Sequence, residues 1–157
     1  MKIRKFIKGD EKAISKLIER DCFEVNIKDY TFDEMVEKAK KFTPSAIIKS
    51  AGAGNMYVAC DGDTILGTAT ITYYNGKKDE GFLHTVYVLP ECHGMGVGRR
   101  LIDAVKADEI FVNSKRVEVL ASITACTFYE KCGFTYKNGI KELNFEKRYP
   151  MEIFNAL

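Results

Sequence analysis

The chain has 157 residues, 46% of them hydrophobic, with 24 basic residues against 22 acidic ones and a net charge of +2. That length accommodates one domain, residues 1–157, with a substantial core, and that hydrophobic content excludes a disordered chain. No apolar run approaches the ~18 residues of a membrane span, the charged start "MKIRKFIKGD" lacks a signal-peptide stretch, and the interspersed charges form no basic stripe for nucleic acid. The expectation is a soluble cytoplasmic protein with neither a membrane nor a nucleic-acid partner. Cys22, Cys60, Cys92, Cys126 and Cys132 are odd in number and include no C-x-x-C. They are expected as reduced thiols, not as a disulfide framework or a zinc ribbon. With His84 and His93 the only histidines, no metal site is expected.

The first element is a short strand in "IRKFIKGD" running into a turn. From Glu11, the spacing of Ile14, Leu17, Ile18 and Cys22 predicts a helix. A second helix begins at "TFDE", where Thr31 and Glu34 match a capping box and Phe32, Met35, Val36 and Ala39 form a stripe; Thr43-Pro44 is expected to end it. The period then changes. "MYVAC" is a strand and "DGD" a turn. "TILGTATITYY" is a strand with Ile65, Gly67, Ala69, Ile71 and Tyr73 on one face. Asn75-Gly76 opens a turn, and "GFLHTVYVLP" is a strand stopped at Pro90. A helix follows from Gly98, with Leu101, Ala104, Val105, Phe111 and Val112 inward. "RVEVLAS" is the next strand. "TACTFYEKCG" makes a short helix closed by Gly133 in a left-handed cap. "FTYK" and "KELNFEKR" flank Asn138-Gly139 as a hairpin. The order β-α-α-β-β-β-α-β-α-β-β joins antiparallel hairpins to a central β-loop-α-β crossover with parallel flanking strands. The fold class is therefore α/β: a mixed, mostly antiparallel sheet flanked by helices.

Between a strand and a helix lies "ECHGMGVGRR", with Gly94, Gly96 and Gly98 at alternate positions. Free N–H groups at a helix amino terminus, with the helix dipole, favour phosphate. Glycines let a ligand approach the main chain, and Arg99 and Arg100 add charge. A dinucleotide fingerprint is a poor match. Arg99 stands where its third glycine belongs, Pro90 to His93 separate strand from loop, and Glu118, about 20 residues on, falls inside a strand. The G-K-[ST] of a P-loop is absent.

"VYVLPECHGMGVGRRLI" resembles the acyl-CoA loop of the GNAT superfamily of N-acetyltransferases. "SITACTFYEKCGF" is similar to that family's second signature, A-x-x-F-Y-x-K-x-G-F. The two occur in the family's order, the element order is that of its fold, and the resemblance covers essentially the whole chain. One departure is His93, where the family prefers Gln or Arg. The resemblance implies that the loop (His93, Gly94, Met95, Gly96, Val97, Gly98 and Arg99) holds the pyrophosphate of acetyl-CoA. The strand residues Val86, Tyr87 and Val88 lend backbone groups to the pantetheine arm, which enters between splayed strands. It further implies transfer of acetyl to a primary amine of a small molecule or peptide by direct attack, and homodimers are common among its members.

Amide formation from a thioester needs a neutral amine, a donor to the carbonyl oxygen and a proton for the thiolate. Tyr129 is the expected proton donor, as a phenol protonated at neutral pH, and the Val88 N–H is the expected oxyanion donor. Three residues compete as general base: His84, on the strand face expected for Val86 and Val88; Glu80, just before that strand; and Glu118. Cys126 and Cys132 are expected to pack as small apolar groups. "RDCFEVNIKDYTFDEM" mixes Asp21, Glu24, Asp29, Asp33 and Glu34 with aromatics. It suits either a wall that attracts a cationic amine or a solvated amphipathic helix pair. Two other readings stay open: an acyl-CoA sensor without catalysis, against which Tyr129 speaks, and a dinucleotide-binding domain.

Overall fold

The computed structural model describes residues 1–156. The elements are β1 (Lys2–Lys5), α1 (Glu11–Glu24), α2 (Phe32–Lys40), α3 (Pro44–Gly52), β2 (Asn55–Asp61), β3 (Thr64–Tyr73), β4 (Glu80–Val88), α4 (Val97–Lys106), α5 (Glu109–Asn113), β5 (Arg116–Ala121), α6 (Cys126–Lys131), β6 (Thr135–Tyr136) and β7 (Tyr149–Phe154). The strands form one sheet in the order β1-β2-β3-β4-β5-β7-β6. Only β4 and β5 run parallel. Every other pair is antiparallel; the parallel pair is the one joined by the α4–α5 crossover. Among the described residues no helix is long and apolar enough to cross a membrane.

Each face of the sheet carries a core. Leu101, Ile102 and Val105 of α4, with Ile110 and Phe111 of α5, pack on Leu83, Val117 and Val119. On the other face Ile14, Leu17 and Ile18 of α1 meet Met35, Ile47, Met56 and Val58. The Thr31–Glu34 capping box forms as expected, with Thr31 Oγ1 accepting from the Glu34 N–H at 3.1 Å and Glu34 Oε1 from the Thr31 N–H at 2.9 Å. Phe32 leaves the predicted stripe and stands 65% exposed.

Four expectations need correction. Thr43-Pro44 does not merely end a helix; it starts α3, with Thr43 as N-cap and Pro44 in the first turn, where its missing N–H costs nothing. The helix predicted from Gly98 through Val112 is two helices. The buried Asp108 carboxylate accepts from the Ile110 N–H at 2.8 Å and caps α5 anew, and Val112 faces solvent. "KELNFEKR" is not a strand, although Asn138 and Gly139 do take positive φ. Asn144 folds that segment into a turn by accepting from the N–H groups of Glu146 (2.9 Å) and Arg148 (3.0 Å), so β6 pairs with β7 instead. Finally, the single face drawn for β3 is broken at Leu66. Ala59 pairs with Gly67 but Cys60 pairs with Ile65, and this bulge sends Ile65 to the α1 side while Ala69 and Ile71 stay on the α4 side.

A second bulge lies in β4. Thr70 pairs with His84 and Thr68 with Tyr87, so Thr85 and Val86 face one residue of β3. Thr85 takes φ 51, a conformation that a β-branched side chain rarely adopts. The Thr68 hydroxyl holds it there by donating to the Thr85 carbonyl at 2.6 Å. Thr68 is fully buried, so Thr68→Val leaves that carbonyl unpaired. It is expected to lower stability by about 1–3 kcal/mol, read as a lower denaturant midpoint at unchanged m-value.

Candidate active site

The bulge at Thr85 reverses the faces of β4. Leu83 belongs to the α4-side core and Tyr87 to the α1-side core, while Val86 and Val88 pack on the α4 side. His84 therefore lies on the face opposite Val86 and Val88, contrary to simple alternation along the strand. Its Nδ1 is 2.9 Å from Thr85 Oγ1, and its ring stacks on Phe82 at 5.7 Å. Burial pushes its pKa down to about 4, so near neutral pH the imidazole is uncharged and a poor proton acceptor.

β4 and β5 pair only from Glu80 to Leu83 against Arg116 to Val119. Beyond that point the strands splay, as the family resemblance implied. β4 continues to Val88 and β5 to Ala121 with their facing edges unpaired. The gap opens into a cavity of about 790 Å³ whose wall includes Val86, Val88, Leu120, Ser122 and Tyr129.

The glycine loop lines the same cavity through His93, Gly94, Gly96, Val97, Gly98 and Arg99. Gly96 is the N-cap of α4 at φ 81, and the first intrahelical bond runs from the Arg100 N–H to the Gly96 carbonyl (3.1 Å). The amides of Val97, Gly98 and Arg99 therefore precede the helical ladder, and no side chain caps them. The three glycines do different things. Gly94 (φ 76) and Gly96 turn the loop with open space where a Cβ would be. Gly98 instead makes room for packing, since a Cβ there would stand 3.0 Å from the Phe128 ring. The His93 ring turns back onto the Val88 carbonyl (Nε2 3.0 Å). Met95 is 67% exposed and is not among the cavity-lining residues. Arg99 donates to the Lys131 carbonyl at the cavity rim (3.0 Å), whereas Arg100 donates to the Met1 carbonyl and leaves the site.

Tyr129 is buried on α6, edge-on to Phe128 (5.2 Å) and Phe134 (5.7 Å). Burial pushes its pKa above the ordinary phenol value, so it stays protonated. Gly133 closes α6 at φ 98, and Cys126 and Cys132 are buried in the α4-side core as expected. The other two base candidates stand apart from the cavity. Glu118 is buried among ions, paired with Arg116 and with Lys137 (2.8 Å). Arg116 also binds Glu152 (2.6 Å) and approaches Glu80 (3.5 Å), and Glu80 pairs with Lys77 (3.0 Å). This cluster ties β4, β5 and β7 together.

One acid outside the three predicted base candidates lines the cavity. Asp21 is 7% exposed on α1 and lines the cavity. Asn26 Nδ2 donates to its Oδ2 at 2.6 Å. Burial pushes its pKa up to about 6, against the opposing charges of Lys38 and His93. The sequence signal was present: Asp21 follows Leu17 by four and Ile18 by three, on the apolar stripe of α1. Of the five acids in the acid–aromatic segment, only Asp21 reaches the cavity.

Residues 52–136 match the family model described as Acetyltransferase (GNAT) domain. No curated protein matches the chain. Among solved structures, the chain is similar to the paiA N-acetyltransferase of Thermoplasma acidophilum in complex with coenzyme A (TM-score 0.83, 14% identity, 98% of each chain covered). It is also similar to the GCN5-related N-acetyltransferase of Rhodopseudomonas palustris (TM-score 0.78, 18% identity, 98% of this chain and 95% of that one). A third is Rv2747 of Mycobacterium tuberculosis in complex with CoA and NLQ (TM-score 0.70, 16% identity, 99% of this chain and 100% of that one). At these identities the likeness is one of fold.

Proposed function

The chain belongs to the GNAT acetyltransferase family, and from that premise we propose that it takes the acetyl group of acetyl-CoA to a primary amine by direct attack in a ternary complex. Residues 1–157 act in this reading as one domain. The observation that supports it most is the meeting, in one cavity, of three uncapped amides at the start of α4, the splayed edges of β4 and β5, and the phenol of Tyr129. The amides of Val97, Gly98 and Arg99 would hold the cofactor pyrophosphate. The unpaired edge of β4 from Val86 to Val88 would bond the pantetheine arm, and CoA-bound structures of the same fold support a CoA-type cosubstrate.

Asp21 receives a proton from the incoming ammonium, leaving the amine neutral, and passes it to solvent. The amine nitrogen attacks the thioester carbon, and the Val88 N–H donates to the oxygen as it becomes negative. The C–S bond then breaks. Tyr129 gives its proton to the departing thiolate and regains one from the acetylated nitrogen, which must lose it to become an amide. Catalytic action by His84 fits its lowered pKa poorly, and Glu118 and Glu80 serve the ion cluster.

The test is isothermal titration with acetyl-CoA, with NAD and ATP as controls. Micromolar binding to acetyl-CoA alone is expected; binding to NAD alone would replace the proposal with a dinucleotide site. Gly96→Val places a β-branched residue at φ 81, a conformation it rarely adopts, and so should distort the loop that would present the amides to the phosphates. It is expected to abolish measurable acetyl-CoA binding while circular dichroism shows a folded protein. Native affinity in that variant would remove the loop from the site.

A further inference from the structure

The acceptor part of the cavity is less acidic than the acid-rich segment 20–35 suggests. Beside Asp21 it is lined by two cations, Lys38 from α2 and Arg148 from the turn before β7. Their neighbours pair elsewhere: Lys40 with Glu37 (3.2 Å) and Lys147 with Glu34 (3.1 Å). Among the described residues, Lys38 and Arg148 have no carboxylate within ion-pair distance. The Lys38 Nζ lies 5.3 Å over the Tyr87 ring, and the Arg148 charge acts on Lys38, Tyr87 and Tyr129 together. Burial and this neighbouring guanidinium push the Lys38 pKa down to about 8.

Two half-buried cations with no carboxylate in ion-pair contact are costly to hold near each other. The chain nevertheless builds a frame for them. Asn144 accepts from the Arg148 N–H, and its own N–H donates to the Arg148 carbonyl (2.8 Å). The Tyr30 hydroxyl donates to the Lys147 carbonyl (2.7 Å) and accepts from the Ile123 N–H (3.2 Å), tying the turn to the α1–α2 connection and to the end of β5.

We propose that Lys38 and Arg148 together bind an oxyanion of the acceptor, so that the amine acetylated belongs to a molecule that also carries a carboxylate or phosphate and not to a polycation. This rests on the reading of the cavity as an acetyl-transfer site and names its substrate class. The guanidinium matches either oxyanion through two parallel hydrogen bonds, and the ammonium supplies a second charge. Asp21 takes the amine end. The cofactor's pyrophosphate is provided for separately, at the start of α4.

The first experiment is a thermal shift with inorganic phosphate and with glutarate, both at saturating CoA so that the glycine loop is occupied. Each is expected to raise the melting temperature of the native protein, and neither that of Arg148→Gln or Lys38→Met. No shift in the native protein overturns the proposal. The shift is expected to fade above pH 8 as Lys38 loses its proton; the charged or titratable groups acting on Lys38 are Arg148, Cys22, Asp21 and Glu146. The second experiment compares α-amino acids, O-phosphoethanolamine and spermidine as acceptors at saturating acetyl-CoA. Turnover of amino acids but not phosphoethanolamine assigns the carboxylate, and the reverse assigns the phosphate. In Arg148→Gln and Lys38→Met the acceptor KM is expected to rise at least 10-fold with acetyl-CoA affinity unchanged. Preference for spermidine, or a matching loss of acetyl-CoA affinity in these variants, overturns it. Failure of native protein to bind acetyl-CoA would instead strike the underlying function.

Discussion

The Asp21→Asn variant is expected to be a worse enzyme and a more stable protein. The carboxyl is buried, and burial holds its pKa near 6 against an ordinary 3.8. At pH 7 it is ionised in the fold at a cost of about 3 kcal/mol, from roughly two pKa units at 1.36 kcal/mol each. Asparagine can still accept from Asn26 Nδ2 but carries no charge, so most of that cost disappears. In the proposed mechanism the variant loses the group that takes the amine proton, and kcat/KM should fall by about 10²-fold or more. In the native protein kcat/KM should rise with pH through about 6, and the variant should lose that limb. A variant of native activity would remove Asp21 from the reaction.

The same residue makes the pH dependence of stability informative, because His84 opposes it. Asp21 has a raised pKa in the fold, so its contribution is most favourable below pH 3.8 and is lost as pH rises through 6. His84 has a lowered pKa, about 4 against 6.5, so its contribution is present above pH 6.5 and is lost as pH falls toward 4. Each amounts to about 3 kcal/mol, and between pH 4.5 and 6.5 they largely cancel. Native stability should therefore change little across this window. Asp21→Asn should become less stable on acidification, and His84→Gln should become more stable. Urea melts at pH 4.5, 5.5 and 6.5 measure the slopes, and equal slopes in all three proteins would refute both burial effects.

Tyr129→Phe is expected to reduce kcat by at least about 10-fold and to leave acetyl-CoA affinity almost unchanged. The ring contacts with Phe128 and Phe134 survive the substitution, so the fold should too. In the proposed mechanism what is lost is a donor to the sulfur as negative charge builds on it. Because burial raises the phenol's pKa, Tyr129 should not itself cause an alkaline fall in rate below pH 10. An equal loss of affinity and turnover would assign Tyr129 to cofactor packing. Full activity would remove Tyr129 from the role of proton donor.

Much of this was legible locally. The capping box at Thr31, the left-handed turn at Gly133 and the glycine loop ahead of α4 depend on neighbours within a few residues, so residue type and spacing suffice to place them. Local signals also misled. Asp108 and Thr43 interrupt helical patterns because each caps a new helix. "KELNFEKR" alternates like a strand, yet Asn144 folds it into a turn and so delivers Arg148 to the cavity.

By itself the sequence determined the fold class, the family and the strand–glycine-loop–helix, because all three rest on periodicity and short motifs. The tertiary structure alone decided which side chains line the cavity. The bulge at Thr85 inverts the strand, so that His84 lines the cavity from the face opposite Val86 and Val88. The splay of β4 from β5 opens the cavity. Asp21, Lys38 and Arg148, from three separate elements, meet there because the α1-side core and the Tyr30 hydrogen bonds bring those elements together. Contacts between residues far apart in the chain leave no periodic trace, and a one-residue bulge reverses every face beyond it.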